Sequence, residues 1–285
     1  MIDGKHVFVV AEIGINHNGD LKTAKRLIAG AHGVGCDAVK FQKRTVDIVY
    51  TPEDLARPRE SVFGKTNGDL KYGLEFGKAE YDEIDSLCKS LEMPWYASAW
   101  DEASVDFLLE YDVPYLKIAS PSVTDRDLVI YCCKAGKPLL VSTGMCDLDT
   151  IEKVVSLIAQ YGGKIDCLYH CNSTYPTRDH SEINLLGVTT LKREFPDIHI
   201  GYSGHEIGIP SSILVSALGV ASIERHITLD RSMWGSDQSV SLEIEGMRSL
   251  IHGVRAWEKA RGDGQIKIYD SEVPIIEKLR RKTTL

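Results

Sequence analysis

The stretch Tyr115-Leu116-Lys117-Ile118-Ala119-Ser120, the amphipathic run Asp125–Ala135 and then Leu139-Leu140-Val141-Ser142-Thr143-Gly144-Met145 read in order as strand, helix and strand. Both strands are continuously apolar, the pattern of strands buried on both faces. Both end on polar residues where a turn begins, and Gly136-Lys137-Pro138 stops the helix between them. The same unit recurs in both directions along the chain. Strands are predicted at His6–Glu12, Ala38–Phe41, Pro94–Ser98, Tyr115–Ile118, Leu139–Ser142, Asp166–His170, His199–Ser203 and Ser222–His226. Helical spacing predicts helices at Leu21–Val34, Ala79–Leu91, Glu102–Tyr111, Asp125–Ala135, Leu148–Tyr161, Ile183–Glu194, Pro210–Leu218 and Glu243–Ala260. Asp20, Asp101 and Asp149 mark helix starts. Eight such units predict an α/β fold, a closed (β/α)8 TIM barrel in a single domain over residues 1–262, with a tail over 263–285. An open doubly wound sheet is the alternative. Against it, AEIGINHNG (residues 11–19) stands after the first strand where a GxGxxG phosphate fingerprint belongs.

A hydrophobic fraction of 43% over 285 residues is enough for one large core. The net charge of -8 argues against nucleic acid or an anionic membrane as the main partner, and leaves room for a locally basic pocket. Seven cysteines without a CxxC pair fit free thiols in a reducing compartment better than a disulfide framework. The N-terminal apolar stretch is too short for a signal peptide, and no run reaches membrane-spanning length, so a cytoplasmic location is expected. Residues 43–78 break the rhythm. They are rich in proline, glycine and charge with little periodicity, and are expected to rise over the barrel mouth as a lid. The tail is expected to be polar and to pack peripherally.

In a barrel of this kind the chemistry gathers where strands give way to loops. Lys40 and Lys117 each close an apolar run, and a buried lysine calls for an anion, either a ligand or a neighbouring acid. Ser98, Ser120, Ser142, Thr143 and Ser203 stand at strand ends, where hydroxyls can serve carboxylate or phosphate oxygens or simply form turns. His205 and His226 end adjacent strands and suit a divalent metal, or else a hydrogen-bonded pair. His170 and Cys171 close another strand and could tune the site or pack in the core. Glu12 ends the first strand, with Asn16, His17 and Asn18 in its loop; sugar hydroxyls or an ion pair with Lys40 would satisfy it. Asp237 and Tyr175 are further candidate ligand contacts or ordinary turn residues.

Taken in order, AEIGINHNG, VKFQ, LKIAS, STGM, HC with TYP two residues on, GYSGH and IERHIT resemble the sialic acid synthase family, whose members make N-acetylneuraminate, legionaminate and pseudaminate. The resemblance covers about His6 to Gly262. It implies a transferase of carbohydrate biosynthesis. Phosphoenolpyruvate would condense with the open-chain aldehyde of an N-acetylmannosamine-like or related aldose, releasing phosphate and forming a nonulosonate-type 2-keto acid. It also implies that Lys40, Ser98, Lys117, Ser120, Ser142 and Ser203 hold phosphoenolpyruvate. His205 and His226 would bind Mn2+ or Mg2+, and Glu12, Gln42, Tyr175 and Asp237 would face the sugar. Glu12, His205 and His226 are the catalytic candidates. Its partners would be these small molecules, with a homo-oligomer open and no nucleic acid or membrane. Family members usually continue into an antifreeze-like C-terminal domain that reaches the partner subunit. This chain stops near Arg280-Arg281-Lys282, so that domain and its arginine are expected to be absent. Ser173 stands where members often carry Asn, and Ser98 where many carry Thr. The alternatives are a 3-deoxy-2-ulosonate synthase acting on another, phosphorylated aldose, a Schiff-base aldolase using Lys117 or Lys40, and a non-catalytic phosphoenolpyruvate-binding protein.

Overall fold

The computed structural model describes residues 1–282. Eight parallel strands run in chain order: Phe8–Gly14, Ala38–Lys43, Trp95–Ala99, Leu116–Ile118, Leu139–Ser142, Ile165–Cys171, His199–Gly204 and Ser222–Thr228. The first pairs with the last, from Phe8 opposite Ser222 to Glu12 opposite His226, and this closes the sheet into a (β/α)8 barrel. A two-residue strand, Leu242–Glu243, pairs in parallel beside the end of the eighth. Helices such as Leu21–Val34 and Ile244–Ala260 turn their apolar stripe onto the strands; Ala24, Leu27, Ile28 and Ala31 of the first are wholly buried.

Strand periodicity fills the interior in layers. Below the mouth, Tyr96, Tyr115 and Tyr169 plug the barrel, each at most 1% exposed. The Tyr169 hydroxyl donates to Ser222 Oγ at 2.8 Å, which donates on to the Phe8 carbonyl at 2.8 Å, so Tyr169 is held by hydrogen bonds as well as by packing. Gly201 makes room for it, since a Cβ there would lie 2.8 Å from the Tyr169 ring.

Several boundaries differ from the sequence reading. The first strand starts two residues later and runs on to Gly14, whose φ of 52° ends it. The helix expected over Ile183–Glu194 is broken: Asn184 adopts a left-handed φ of 44° between a 3-10 turn, His180–Ile183, and the helix Gly187–Glu194. Pro210–Leu214 is helical and then tightens into a 3-10 turn, Val215–Leu218. Asp147, not Asp149, caps the helix Leu148–Gln160, accepting from the Thr150 N–H.

The connection after the second strand is built, not irregular. It holds short helices at Val46–Val49, Pro52–Ala56 and Asn67–Leu74 and a hairpin of Pro58–Ser61 with Gly64–Thr66, each too short to show a period. A reciprocal Thr66–Asp69 capping box starts its last helix. A Lys43–Glu75 ion pair of 2.8 Å closes its base, and Phe63 meets Trp234 edge-on with ring centroids 6.1 Å apart. The tail departs from expectation in the other direction: Ile266, Ile268, Val273, Ile275 and Leu279 are apolar and exposed instead of polar and packed. All seven cysteines are free thiols, and no described helix is long and apolar enough to cross a membrane.

Candidate active site

Parallel pairing sets four ionic side chains side by side at the carboxyl ends of the strands. Glu12 lies opposite Lys40 on one side and His226 on the other; Ser98 lies opposite Lys117, and Ser203 opposite Glu224. Positions two apart on a strand share a face, so Glu224 and His226 point inward together. The result is a cavity of about 330 Å3 at the barrel mouth. Glu12, Lys40, Gln42, Lys117, Ser120, Ser142, Tyr175, Ser203, His205, His226 and Asp237 all line it. Ser98 does not. It is 1% exposed and accepts from Lys40 Nζ at 3.1 Å. Thr143 also turns away, its hydroxyl donating to the Tyr169 carbonyl at 3.0 Å.

Both lysines are paired with acids as well as facing the cavity. Lys40 Nζ is 2.8 Å from Glu12 Oε2 and 3.5 Å from Glu224 Oε1; Lys117 Nζ is 3.2 Å from Glu224 Oε2. Lys117 also stands 3.6 Å above the centre of the Tyr169 ring, a cation–π contact. Glu224 is the main residue the sequence reading missed as a ligand of this site. The available signal was its place two residues before His226 on one strand. Burial raises the Glu12 carboxyl to about 7, Lys40 opposing it and Glu224 adding to it. Burial also pushes Glu224 upward, but Lys117 and Lys40 outweigh it and hold its carboxyl below the usual range. Lys40 loses to burial and gains more from its two acids, so it stands above the ordinary lysine value. Lys117 stands below it, because burial and Lys40 exceed the help from Glu224.

The hydroxyls split by partner. Ser203 Oγ donates to Glu224 Oε1 at 3.2 Å, while Ser120 Oγ accepts the Gly144 N–H at 3.1 Å and touches Cys171 Sγ at 3.3 Å. Gln42 donates to Glu12 Oε1 at 3.1 Å and accepts from Arg44. Arg44, Tyr50, Lys71 and Trp100 also reach the cavity, the first stacked over the Trp100 ring at 4.5 Å. They come from the connection 43–78 and from the turn after the third strand, regions with no regular pattern to read.

His205 and His226 lie with ring centroids 5.5 Å apart. Burial, with mutual repulsion, lowers His205 to about 4; burial and Lys40 lower His226 to about 3. Both rings are therefore neutral near neutral pH. His205 Nδ1 faces the Asn172 carbonyl at 2.6 Å and must be its donor, leaving Nε2 as an acceptor for the Tyr175 hydroxyl at 2.9 Å. His226 Nδ1 is buried without a hydrogen-bond partner, 3.8 Å from Asp237 Oδ2. Asn16, His17 and His170 do not line the cavity. Asn16 donates to the Ile227 carbonyl and Ser241, His17 stacks on Phe76 at 4.0 Å, and His170 turns outward to the Ile183 carbonyl at 2.9 Å.

Residues 27–266 match the NeuB family. The chain belongs to that family. This NeuB-family barrel is 38% identical over 281 residues to the N-acetylneuraminate-9-phosphate synthase of Mus musculus, covering 98% of this chain and 78% of the relative. It is 35% identical over 285 residues to the N,N'-diacetyllegionaminic acid synthase of Legionella pneumophila, covering 98% and 80%. Among solved structures, an N-acetylneuraminic acid synthetase of Leptospira borgpetersenii in complex with citrate superposes with a TM-score of 0.83 at 29% identity. That match covers 98% of this chain and 94% of that one.

Proposed function

We propose that this NeuB-family barrel condenses phosphoenolpyruvate with the open-chain aldehyde of an N-acylated aldose, forming a nonulosonate-type 2-keto acid and releasing phosphate. One observation carries the reading: a single cavity receives both the lysine–hydroxyl set and the neutral imidazole pair. The named activities of its relatives support the same chemistry.

Lys40, Lys117, Ser120, Ser142 and Ser203 hold the anionic ends of phosphoenolpyruvate, with Ser98 holding Lys40. Gln42, Tyr175 and Asp237 face the acceptor. Orientation of the two reactants supplies part of the rate. The enol carbon of phosphoenolpyruvate bonds to the aldehyde carbon, water adds to the former enol ether carbon, and phosphate leaves by C–O cleavage. Glu12, raised to about 7, can hold or release the proton that the new hydroxyl requires.

Charge balance bears on the cofactor. Glu224 already lies against both lysines and Glu12 against Lys40, so part of the lysines' charge is taken and an incoming polyanion gains from further positive charge. The imidazole pair would fit a divalent ion, Mn2+ or Mg2+, once the Tyr175 hydroxyl releases His205 Nε2. Both rings are neutral, and His226 keeps a buried nitrogen without a partner. Among the described residues no cluster of three His, Cys, Asp or Glu ligands occurs, so water and substrate would complete the shell. When bound, the ion supplies Lewis acidity toward the acceptor carbonyl.

A phosphorylated acceptor is the second reading. Lys71 at the cavity edge and Arg59 beside it have no ion-pair partner among the described residues. Phosphate release from phosphoenolpyruvate, measured against N-acetylmannosamine, its 6-phosphate and neutral aldoses with and without chelator, tests both readings. Release that requires an amino aldose and is lost with chelator is the expected result. Release without any aldose, or borohydride trapping of a substrate on Lys117, would overturn it.

A further inference from the structure

Behind the imidazole pair lies an ionic cluster that the reaction does not touch. Arg225 sits between Glu224 and His226 on the eighth strand, so strand alternation turns it outward, away from the cavity. Its partner, Glu206, directly follows His205. Both are sealed, at 0% and 1% exposed. Arg225 Nη1 donates to Glu206 Oε1 at 3.0 Å, to the Gly208 carbonyl at 2.8 Å and to Ser212 Oγ at 2.7 Å, and Nη2 donates to the Glu206 carbonyl at 2.6 Å. The Tyr202 hydroxyl holds the other Glu206 oxygen at 2.8 Å. Gly204 lets this happen, because a Cβ there would stand 2.6 Å from Glu206 Oε2 and 3.0 Å from Arg225 Cδ. The cluster reaches further: Thr177 bridges to Glu206, and its N–H donates to the His205 carbonyl at 3.1 Å, which ties in the loop that carries Tyr175.

Stability alone does not account for such a pair. Removing two charges from water costs several kcal/mol per ion, and well-packed apolar replacements are often as stable or more so. What the guanidinium does that an apolar side chain cannot is fix a backbone turn at several points in one geometry. Here the turn is the one that presents His205, and the clamp is rooted in the strand that presents His226.

We propose that Arg225 and Glu206 are positioning residues that set the spacing of the His205 and His226 imidazoles for the divalent ion, an inference that rests on the metal reading above. The fork geometry matters, because a lysine at 225 carries charge on one nitrogen and cannot hold the Glu206 carbonyl, now served by Nη2, as well as the acceptors grouped around Nη1.

The test compares the wild type with Arg225→Lys, Glu206→Gln and the double variant Arg225→Met/Glu206→Leu. Thermal unfolding, Mn2+ binding by electron paramagnetic resonance, and kcat and KM for phosphoenolpyruvate are measured on each. The double variant is expected to fold with a lowered melting temperature, because the Gly208 and Glu206 carbonyls lose their donor. Its Mn2+ affinity should fall by about tenfold or more, the scale seen when partners that orient metal ligands are lost. Its kcat should fall too, while KM for phosphoenolpyruvate stays within about twofold. A folded double variant with wild-type Mn2+ affinity overturns the proposal. If the double variant does not fold, the near-isosteric Glu206→Gln decides, with the same loss of affinity expected and unchanged affinity overturning it. No Mn2+ or Mg2+ binding by the wild type would instead remove the metal reading itself.

Discussion

Lys117 Nζ stands 3.2 Å from Glu224 Oε2, and neither side chain is more than 6% exposed. The contact joins strands on distant parts of the barrel wall and makes Glu224 the counter-ion shared by both lysines of the cavity. Burying four alternating charges together is tolerable only while every member keeps its partners.

Glu224→Gln removes the shared charge and leaves Lys117 without an ionic partner. Breaking one side of a buried pair costs about 3–5 kcal/mol, so thermal unfolding should fall by several degrees or more. Phosphoenolpyruvate should restore more stability to this variant than to the wild type, because the ligand supplies the missing negative charge. Equal unfolding temperatures in the two proteins would contradict the pairing.

Lys117→Ala should act mainly on phosphoenolpyruvate. Losing a buried charged contact costs about 2 kcal/mol or more, which corresponds to at least a roughly thirtyfold rise in KM or Kd for phosphoenolpyruvate. Unchanged apparent affinity would take Lys117 out of the anion site.

Acid should destabilise the fold through its buried histidines. His17, His205 and His226 are lowered to about 3, 4 and 3, all by burial first. Between pH 6.5 and 4 the unfolded chain binds protons at these rings that the folded chain refuses, so stability falls as pH falls through that window. Glu12 works in the opposite sense. Its carboxyl, raised to about 7, stays protonated in the folded state while the unfolded one ionises, so its contribution falls as pH rises from about 4.5 to 7. Three rings against one carboxylate leave a net loss on the acid side. Chemical unfolding at a series of pH values should show it, and His17→Phe should make the acid slope shallower. A slope unchanged by that substitution would remove His17 from the account.

Gly144→Ala tests how tightly the hydroxyl corner is packed. An added Cβ would stand 2.1 Å from Ser173 Oγ, 2.7 Å from Ser120 Oγ and 3.0 Å from Cys171 Sγ. At least one hydroxyl must move, and Ser120 is bonded to the Gly144 N–H itself. The expected result is a folded protein with KM for phosphoenolpyruvate raised roughly tenfold, the scale of one lost hydrogen bond to a charged group. Unaltered kinetics would show that Ser120 does not touch the ligand.

Much of the fold was legible because barrel strands and helices announce themselves locally. Ala38–Phe41 and Leu139–Ser142 are short apolar runs, and Leu21–Val34 carries its stripe at helical spacing. Most of the cavity-lining residues were legible for a related reason: a polar residue closing a buried strand has few other places to point. The connection over residues 43–78 was not, since its helices and hairpin are shorter than the roughly 11-residue window over which a period can be read. That Ser98 and Thr143 do not line the cavity was not legible either, because a strand-end hydroxyl can face the mouth or a neighbouring group, and only packing chooses.

By itself, then, the order of residues determined a closed array of strand–helix units and the chemical inventory at its rim, because hydrophobic period and turn chemistry act over a few residues. Which charges neutralise which was decided by the tertiary structure alone. Lys117 and Glu224 lie 107 positions apart, and no local pattern encodes a contact made across the inside of a barrel.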